Sequence, residues 1–493
     1  MNARPHAAPG LLPALVPVAF LIGLLALSVY LFGDGSSAGP NQIALILSAG
    51  VASVIGARLG FSWKELERGI VHGISLSLGA ILILLVVGAL IGTWILSGVV
   101  PSMIYYGLKI LTPAFFYAAS CAICALVSLA TGSSWTTAST IGIALVGIAT
   151  AQDLNLGLTA GAIISGAYFG DKMSPLSDTT NLAPAIAGTD LFSHIRHMMW
   201  TTTPSLVLAL VGFAVMGWVS PRPAEGNDLE AIVATLESTF TIGPHLLLPA
   251  ALVLVLVMRR VPAFPALLIG ALVGAVFAVV FQPRAVLAFV GETDLPRSLA
   301  LLKGCWMALF DGFSLHSGHQ ALDDLLSRGG MSSMLSTIWL ILSAMMFGAV
   351  METTGMLERL ARSILSMVTS TGSLVAATLG SCLGANILAS DQYIAIVLPG
   401  RMFRAEYARR RLHPKNLSRA LEDAGTLTSA LVPWNTCGAF MAQTLGVATF
   451  TYMPYCFFNL LNPLVSAAYG FTGFTIESLP AEGDPDQEEQ PAA

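Results

Sequence analysis

The chain has 493 residues, of which 55% are hydrophobic and only 10% are charged, and its mean hydropathy is +0.76. Soluble domains carry roughly 25% charged residues, so this composition excludes an ordinary soluble protein and makes the lipid bilayer the expected surroundings. The net charge is only −5, which gives no support for binding nucleic acid.

Apolar runs follow one another along the chain, and a bilayer takes about 20 residues of helix to cross. The predicted spans are 11–32, 41–59, 72–99, 156–188, 200–219, 244–259, 263–282, 331–354, 419–448 and 453–474. Polar residues interrupt 156–188 and 419–448. Two further stretches, about 112–151 and 371–403, carry a polar break in the middle and are predicted to be re-entrant hairpins. The predicted fold is an all-α polytopic membrane protein of about ten transmembrane helices and two hairpins.

The positions of lysine and arginine predict the orientation of the chain. Basic residues follow the second, sixth and eighth spans and are densest at 401–415, whereas the loop at 33–40 has none. Because cytoplasmic loops are enriched in Lys and Arg, we expect both termini in the cytoplasm of a bacterial-type inner membrane. Residues 220–243 are then an external loop, and the acidic segment 475–493 is predicted to be a disordered tail.

The two halves of the chain, 1–219 and 244–474, have the same predicted order of elements. Each has three spans, a hairpin, a broken span and a closing span, and the halves run in opposite directions across the membrane. The sequence GALIGTW at 88–94 also resembles GAVMETTG at 348–355. Inverted repeats with helices broken at the midplane are typical of secondary transporters. A chance likeness between two apolar segments remains the alternative.

The polar residues of the four breaks are the candidate cation- and proton-binding residues, because bare polar groups at membrane depth must be buried in protein or line a cavity. They are Ser133, Ser134, Thr136 and Thr137 in the first hairpin, Asp171, Ser174, Ser177, Asp178, Thr179, Thr180 and Asn181 in the first broken span, Asn386 and Asp391 in the second hairpin, and Asp423, Thr428, Asn435 and Thr436 in the second broken span. Oxygen atoms of this kind suit a hard cation such as Na⁺.

The carboxylates among these residues add a second property. A buried carboxyl group can hold a proton or a cation but not both comfortably, and this competition is the physical basis of cation/proton antiport. We expect Asp178 and Asp391 to hold Na⁺, with Asp171 as a further main candidate. The weaker candidates are Glu422, Asp423 and Glu352.

Purely structural roles for the same carboxylates are the alternative. Asp171 can pair with the adjacent Lys172, and Asp178 or Asp423 can cap a half-helix. No nucleophile–base spacing, phosphate loop or metal motif supports an enzyme, and we expect no cofactor. The role of the amphipathic region 285–328 is left open.

Three motifs resemble the NhaC family of Na⁺/H⁺ antiporters. They are GAYFGDKMSPLSDTTNLAPAIAGTD, GANILASDQYIAIVLPGRMF and LSRALEDAGTLTSALVPWNTCGAFMAQTLG, within a likeness that runs from about residue 41 to Gly473. The family's motifs fall on 170–184 and 422–436, which are the two broken spans. One departure is Ala389-Ser390 before Asp391, where the family pattern leads us to expect Thr-Gly, and this weakens the second tip as a cation ligand.

The resemblance implies a scaffold domain that dimerises and a transport domain that carries both hairpins and moves as an elevator. It implies exchange of Na⁺ for protons, with Na⁺ leaving the cell. Related proteins include Na⁺-linked malate/lactate exchangers and amino-acid carriers. Transport of a small organic acid or an amino acid is therefore the alternative function.

Overall fold

The computed structural model describes residues 7–32, 36, 39–219, 228–291, 294–315, 323 and 326–479. The regular secondary structure of this part of the chain is helical apart from two isolated β-bridges. The first half contains α1 (Leu11–Phe32), α2 (Pro40–Arg58), α3 (Trp63–Leu76), α4 (Leu78–Leu96), α5 (Val99–Ile110), α6 (Phe116–Thr131), α7 (Ser134–Thr137), α8 (Ile143–Ala151), α9 (Leu156–Met173), α10 (Asp178–Ala187) and α11 (Leu191–Val219).

The second half has the same helical character. It contains α12 (Asp228–Thr239), α13 (Leu248–Met258), α14 (Ala263–Phe281), α15 (Pro283–Val290), α16 (Arg297–Phe310), α17 (Leu335–Thr353), α18 (Met356–Leu365), α19 (Thr371–Leu388), α20 (Gln392–Arg409), α21 (Pro414–Leu421), α22 (Thr436–Leu445), α23 (Thr449–Tyr452) and α24 (Phe457–Thr472). Short π-helical segments, Ala138–Gly142 and Glu422–Thr426, follow α7 and α21. Single 3-10 turns lie at Pro244–Leu247, Ser332–Met334, Ser429–Leu431 and Met453–Tyr455.

Eight helical segments in the described part are long and apolar enough to cross a bilayer, judged by length and composition. They are Leu11–Phe32, Pro40–Arg58, Leu78–Leu96, Ser134–Ala151, Leu191–Val219, Ala263–Phe281, Ser332–Thr353 and Thr371–Leu388. Ile232–Thr239 and Pro244–Met258 add a pair bent by 87°. The predicted all-α polytopic class is confirmed. The inverted relation of the halves stays a prediction.

Several predicted boundaries differ from the structure. The predicted span 72–99 begins later, at Leu78, because the preceding residues form the separate amphipathic helix α3. The predicted external loop 220–243 contains α12, while 220–227 lie outside the described residues. In the predicted tail 475–493, residues 480–493 are not described, but Ser478 forms a β-bridge with Leu412.

The helices pack in two groups. In one group α17 lies on α2 and α3, and α4 lies on α14 and α16. In the other group α9 lies along α6, α24 packs on α11 and α19, and α10 packs on α20. The polar breaks belong to the second group. The second group therefore carries both hairpins and both broken spans.

Close packing between α6 and α9 depends on two glycines. A Cβ atom on Gly166 would overlap the carbonyl oxygen of Cys121, and one on Gly170 would overlap that of Ala125. Glycine removes the side chain that would hold the two backbones apart. As a result, the end of α9, which carries Asp171, lies directly against the helix that leads into the first hairpin tip.

Candidate functional site

The first hairpin tip contacts the first broken span through Ser134. Gly132, with φ of 69°, ends α6, and Ser133 caps the next helix by accepting a hydrogen bond from the Thr136 N–H at 3.2 Å. The Ser134 N–H and hydroxyl both donate to Oδ2 of Asp171, at 3.0 and 2.7 Å. These two hydrogen bonds stabilise the ionised form of a carboxyl group that is only 8% exposed.

The first broken span leaves the helical path between α9 and α10. The chain is irregular at 174–177, which includes Pro175, and α10 begins with Asp178. The Thr180 hydroxyl donates toward the carbonyl oxygens of Asp171 and Lys172, at 3.2 and 3.0 Å, and so satisfies backbone groups at the end of α9. Asp178 is exposed, which distinguishes it from Asp171.

The second hairpin tip is joined to the second broken span by backbone and amide groups. Asp391, which is 5% exposed, caps α20 by accepting a hydrogen bond from the Ile394 N–H at 3.0 Å. The Ser390 carbonyl accepts a hydrogen bond from the Thr436 N–H at 3.0 Å. Asn435 donates to the carbonyl and side-chain oxygens of Asn386, at 3.1 and 3.0 Å.

All four breaks line one cavity of about 1050 Å³. The predicted site residues on its wall are Ser133, Ser134, Thr136, Asp171, Ser177, Asp178, Thr179, Asn181, Asp391 and Thr436. Three carboxylates, those of Asp171, Asp178 and Asp391, therefore face the same space as several hydroxyl groups. Such a donor set can bind a hard cation or exchange protons with water in the cavity.

The other predicted site residues lie behind the wall of the cavity. They are Thr137, Ser174, Thr180, Asn386, Asp423, Thr428 and Asn435. Most of them hold the breaks in shape: Asn386, for example, donates to the Gly425 carbonyl at 2.8 Å and to the Thr428 hydroxyl at 2.9 Å. Their role in this conformation is to satisfy backbone and side-chain groups next to the cavity.

Asp423 has a different environment from the one proposed on sequence alone. It is fully buried and forms an ion pair with Lys172, which also donates to Oδ1 of Asn462 at 3.0 Å. The Thr201 hydroxyl donates to the same Asp423 oxygen at 3.1 Å. The suggested pairing of Asp171 with Lys172 is therefore wrong, and so is the suggestion that Asp423 caps a half-helix.

The cavity wall also includes residues that were not singled out from the sequence, namely Arg260, Tyr393 and Cys437. Trp135 is on the wall as well, and it stacks on Phe440 with ring centroids 3.9 Å apart. Tyr393 and Cys437 each follow a predicted polar residue within two positions. This nearness in sequence to a predicted site residue was the signal that could have identified them. Arg260 lies in the loop between α13 and α14, and nothing in its local sequence indicated that this loop borders the cavity.

The chain is similar to known Na⁺/H⁺ antiporters. A family model described as the Na⁺/H⁺ antiporter family matches residues 166–474. The chain is 40% identical over 435 residues to the Na⁺/H⁺ antiporter NhaC of Alkalihalophilus pseudofirmus, covering 88% of this chain and 91% of that protein. It is 38% identical over 431 residues to NhaC of Bacillus subtilis, covering 87% and 92%.

A relative with a different activity is similar to nearly the same degree. The chain is 39% identical over 466 residues to the malate-2H⁺/Na⁺-lactate antiporter of Bacillus subtilis, covering 94% of this chain and 95% of that protein. The three relatives each match 87–94% of this chain, and the family model begins at residue 166, after the first hairpin tip. The chain is a multi-pass membrane protein that belongs to the NhaC-type Na⁺/H⁺ antiporter family.

Proposed function

We propose that the protein exports Na⁺ in exchange for protons and that the cavity holds the exchanged cation. The observation that carries this proposal is the convergence of Asp171, Asp178 and Asp391 on one cavity lined by all four breaks. In the proposed cycle, Na⁺ binds to oxygen atoms of these carboxylates and of Ser134 after protons have left them. Protons arriving from the other side of the membrane displace Na⁺, because each carboxyl group accommodates one or the other.

The proposed movement is an elevator, in which the helical group that carries the breaks slides along the first group. The packing of the helices into two groups and the position of the breaks within one of them support this movement. Arg260 is on the cavity wall and Arg259 precedes it, and basic loops are enriched on the cytoplasmic side. We therefore propose a cytoplasm-facing cavity, cytoplasmic termini and, as the family resemblance implies, a homodimer.

The test is Na⁺-driven proton movement in liposomes that contain the purified protein and an internal pH dye, with no organic acid present. We expect the wild-type protein to move protons and Asp171→Asn and Asp391→Asn to lose this activity. Asparagine can still accept the hydrogen bonds from Ser134 and Ile394, and it is also a good helix cap, so the fold should persist.

Asp294→Asn is the matched control, since Asp294 is exposed and does not line the cavity. Its activity should equal that of the wild type. Full Na⁺-driven proton movement in both Asp171→Asn and Asp391→Asn would contradict the assignment of these carboxylates.

A second candidate function is Na⁺- and H⁺-linked exchange of a small organic acid. The cavity is much larger than a single Na⁺ requires, and Arg260 gives its wall a cation that can meet a carboxylate. The 39% identical malate-2H⁺/Na⁺-lactate antiporter supports the same alternative. If the liposomes show no proton movement until malate or lactate is added, this function replaces simple Na⁺/H⁺ antiport.

A further inference from the structure

Glu422 is a buried acid for which the cavity gives no role. It begins the π-helical segment Glu422–Thr426, its side chain is 0% exposed, and neither carboxyl oxygen has a hydrogen-bond partner in the described part of the chain. The hydroxyls of Thr179 and Thr426 lie near it without reaching hydrogen-bonding geometry. An ionised carboxylate that is buried without partners is strongly destabilised, so the protonated form fits this environment.

The charges around Glu422 favour the same form. Lys172 and Asp171 of α9 interact electrostatically with Glu422 from the neighbouring helix, and so does the thiol of Cys382 of α19. Lys172 and the adjacent Asp423 form one buried ion pair, which is neutral as a unit. Ionised Glu422 would add an uncompensated negative charge, whereas protonated Glu422 leaves the cluster neutral.

Lys172 also has the capacity to respond when Glu422 loses its proton. Its ammonium group has three donors, and the hydrogen bonds described use two of them, to Asp423 and Asn462. No hydrogen bond in the described part of the chain uses the third donor, which leaves it available to a carboxylate on Glu422. The cluster therefore has two protonation states. In one, Glu422 holds the proton; in the other, Glu422 is ionised and Lys172 is shared between the carboxylates of Glu422 and Asp423.

A pair of hydroxyls lies between this cluster and the cavity. Thr179 faces Glu422 and also lines the cavity, and its hydroxyl lies 3.2 Å from the hydroxyl of Ser177, another residue of the wall. A proton leaving the carboxyl oxygen of Glu422 can pass through these hydroxyls to water in the cavity. Glu422 itself does not line the cavity, so it is separate from the carboxylates proposed for Na⁺.

We propose that Glu422 carries a transported proton at a site distinct from the Na⁺ cavity, with Lys172 as its counter-ion and Thr179 and Ser177 as the path to water. This assignment rests on the Na⁺/H⁺ exchange proposed above and names the residue that holds one of its protons. Lys172 follows Asp171 directly, so the proposed proton and Na⁺ sites are attached to neighbouring residues at the end of one helix.

The test separates two modes of transport in liposomes that contain the full-length protein. One is exchange of radioactive Na⁺ for unlabelled Na⁺ without a pH gradient, and the other is uptake of radioactive Na⁺ driven by a pH gradient. Glutamine in Glu422→Gln copies the shape of the protonated acid. We expect this variant to retain Na⁺/Na⁺ exchange and to lose most of the uptake driven by the pH gradient, because only the cavity carboxylates then exchange protons, whereas Asp171→Asn should lose both modes.

Three results would overturn the assignment. The first is that Glu422→Gln takes up Na⁺ in response to the pH gradient as fast as the wild type does. The second is that a folded Glu422→Gln protein loses both modes, since Glu422 would then serve Na⁺ binding. If Glu422→Gln does not fold, Glu422→Asp keeps a titratable carboxyl group on a shorter side chain. We expect it to retain coupling with a shifted pH profile, and an unshifted profile is the third overturning result.

The outcome for the wild type separates this assignment from the proposed function. A wild-type protein that moves no protons in response to Na⁺ contradicts the proposed function itself. A wild-type protein that does so, together with an unaffected Glu422→Gln, contradicts only the role of Glu422.

Discussion

Ser134 of the first hairpin donates two hydrogen bonds to Asp171, and the role of its hydroxyl group can be tested by itself. The Ser134 hydroxyl donates to Asp171 at 2.7 Å, and the Ser134 N–H donates to the same oxygen at 3.0 Å. Ser134→Ala removes the first bond and keeps the second. A hydrogen bond to a charged group contributes about 1.5–3 kcal/mol, so we expect the Na⁺ concentration for half-maximal transport to rise by about tenfold or more.

Initial rates of Na⁺-driven proton movement at a series of Na⁺ concentrations measure this effect. Ser139→Ala is the control, because the Ser139 hydroxyl is also buried but bonds to the Thr136 carbonyl, at 3.2 Å. Equal Na⁺ dependence in Ser134→Ala and Ser139→Ala would show that the bond to Asp171 has no part in transport.

The pairing of charges is the part of the site that sequence could not supply. Polarity at the breaks was enough to select Asp171 and Asp391, because polar groups at membrane depth need a cavity or partners. The partner of Lys172 is Asp423, 251 positions away in the chain, and no local pattern predicts such a contact. The suggested Asp171–Lys172 pair could have been excluded, since adjacent residues on a helix do not face each other.

At the scale of helices, the contact between α6 and α9 sets the position of Asp171 against Ser134. Gly170→Ala would place a Cβ atom on the backbone of α6, against Ala125 and Leu129, and backbone atoms cannot move aside cheaply. We expect this variant to have a lower melting temperature in detergent and little Na⁺-driven proton movement, because the two helices must separate.

Gly384→Ala is the matched control within α19. A Cβ atom at this position meets nothing within 4 Å, and alanine favours a helix over glycine by about 1 kcal/mol. Its melting temperature should equal or exceed that of the wild type. A Gly170→Ala protein as stable and active as Gly384→Ala would mean that α6 and α9 do not need this close approach.

Sequence predicted the long apolar helices better than the short amphipathic ones. The predicted 11–32, 41–59 and 263–282 agree with α1, α2 and α14 to within one residue, because uniform hydropathy marks their ends. Helix α3 was merged with the following span, and α12 was assigned to a loop. Both contain charged residues, and the start of α3 depends on a capping box of Ser62 with Glu65 rather than on hydropathy.

At the scale of the whole molecule, the site required contacts between distant parts of the chain. The sequence predicted four polar breaks. It predicted that they meet at one site only on the assumption that the two halves of the chain fold as inverted repeats. The breaks do line one cavity, which agrees with that expectation. The loop with Arg260 borders the same cavity because α13 and α14 bring it there, and a long-range packing arrangement of this kind has no signature in the local sequence.

The side of the membrane to which the cavity opens is the last prediction. Asn181 is exposed and lines the cavity, and the six native cysteines are buried, so Asn181→Cys introduces one accessible thiol. If the cavity faces the cytoplasm, a membrane-impermeant maleimide should label this variant in inside-out vesicles and spare it in right-side-out vesicles. Bound Na⁺ should slow the labelling, because it occupies the same space.

Cys437 is the native thiol that requires a control, because it lines the cavity although it is only 2% exposed. Labelling of Asn181→Cys should therefore be repeated in a Cys437→Ser background and compared with the unmodified protein. Equal labelling from both sides in the absence of Na⁺ would indicate rapid exchange between two open states, as an elevator requires. Labelling from the outside alone would reverse the proposed orientation and, with it, the side from which Na⁺ is loaded.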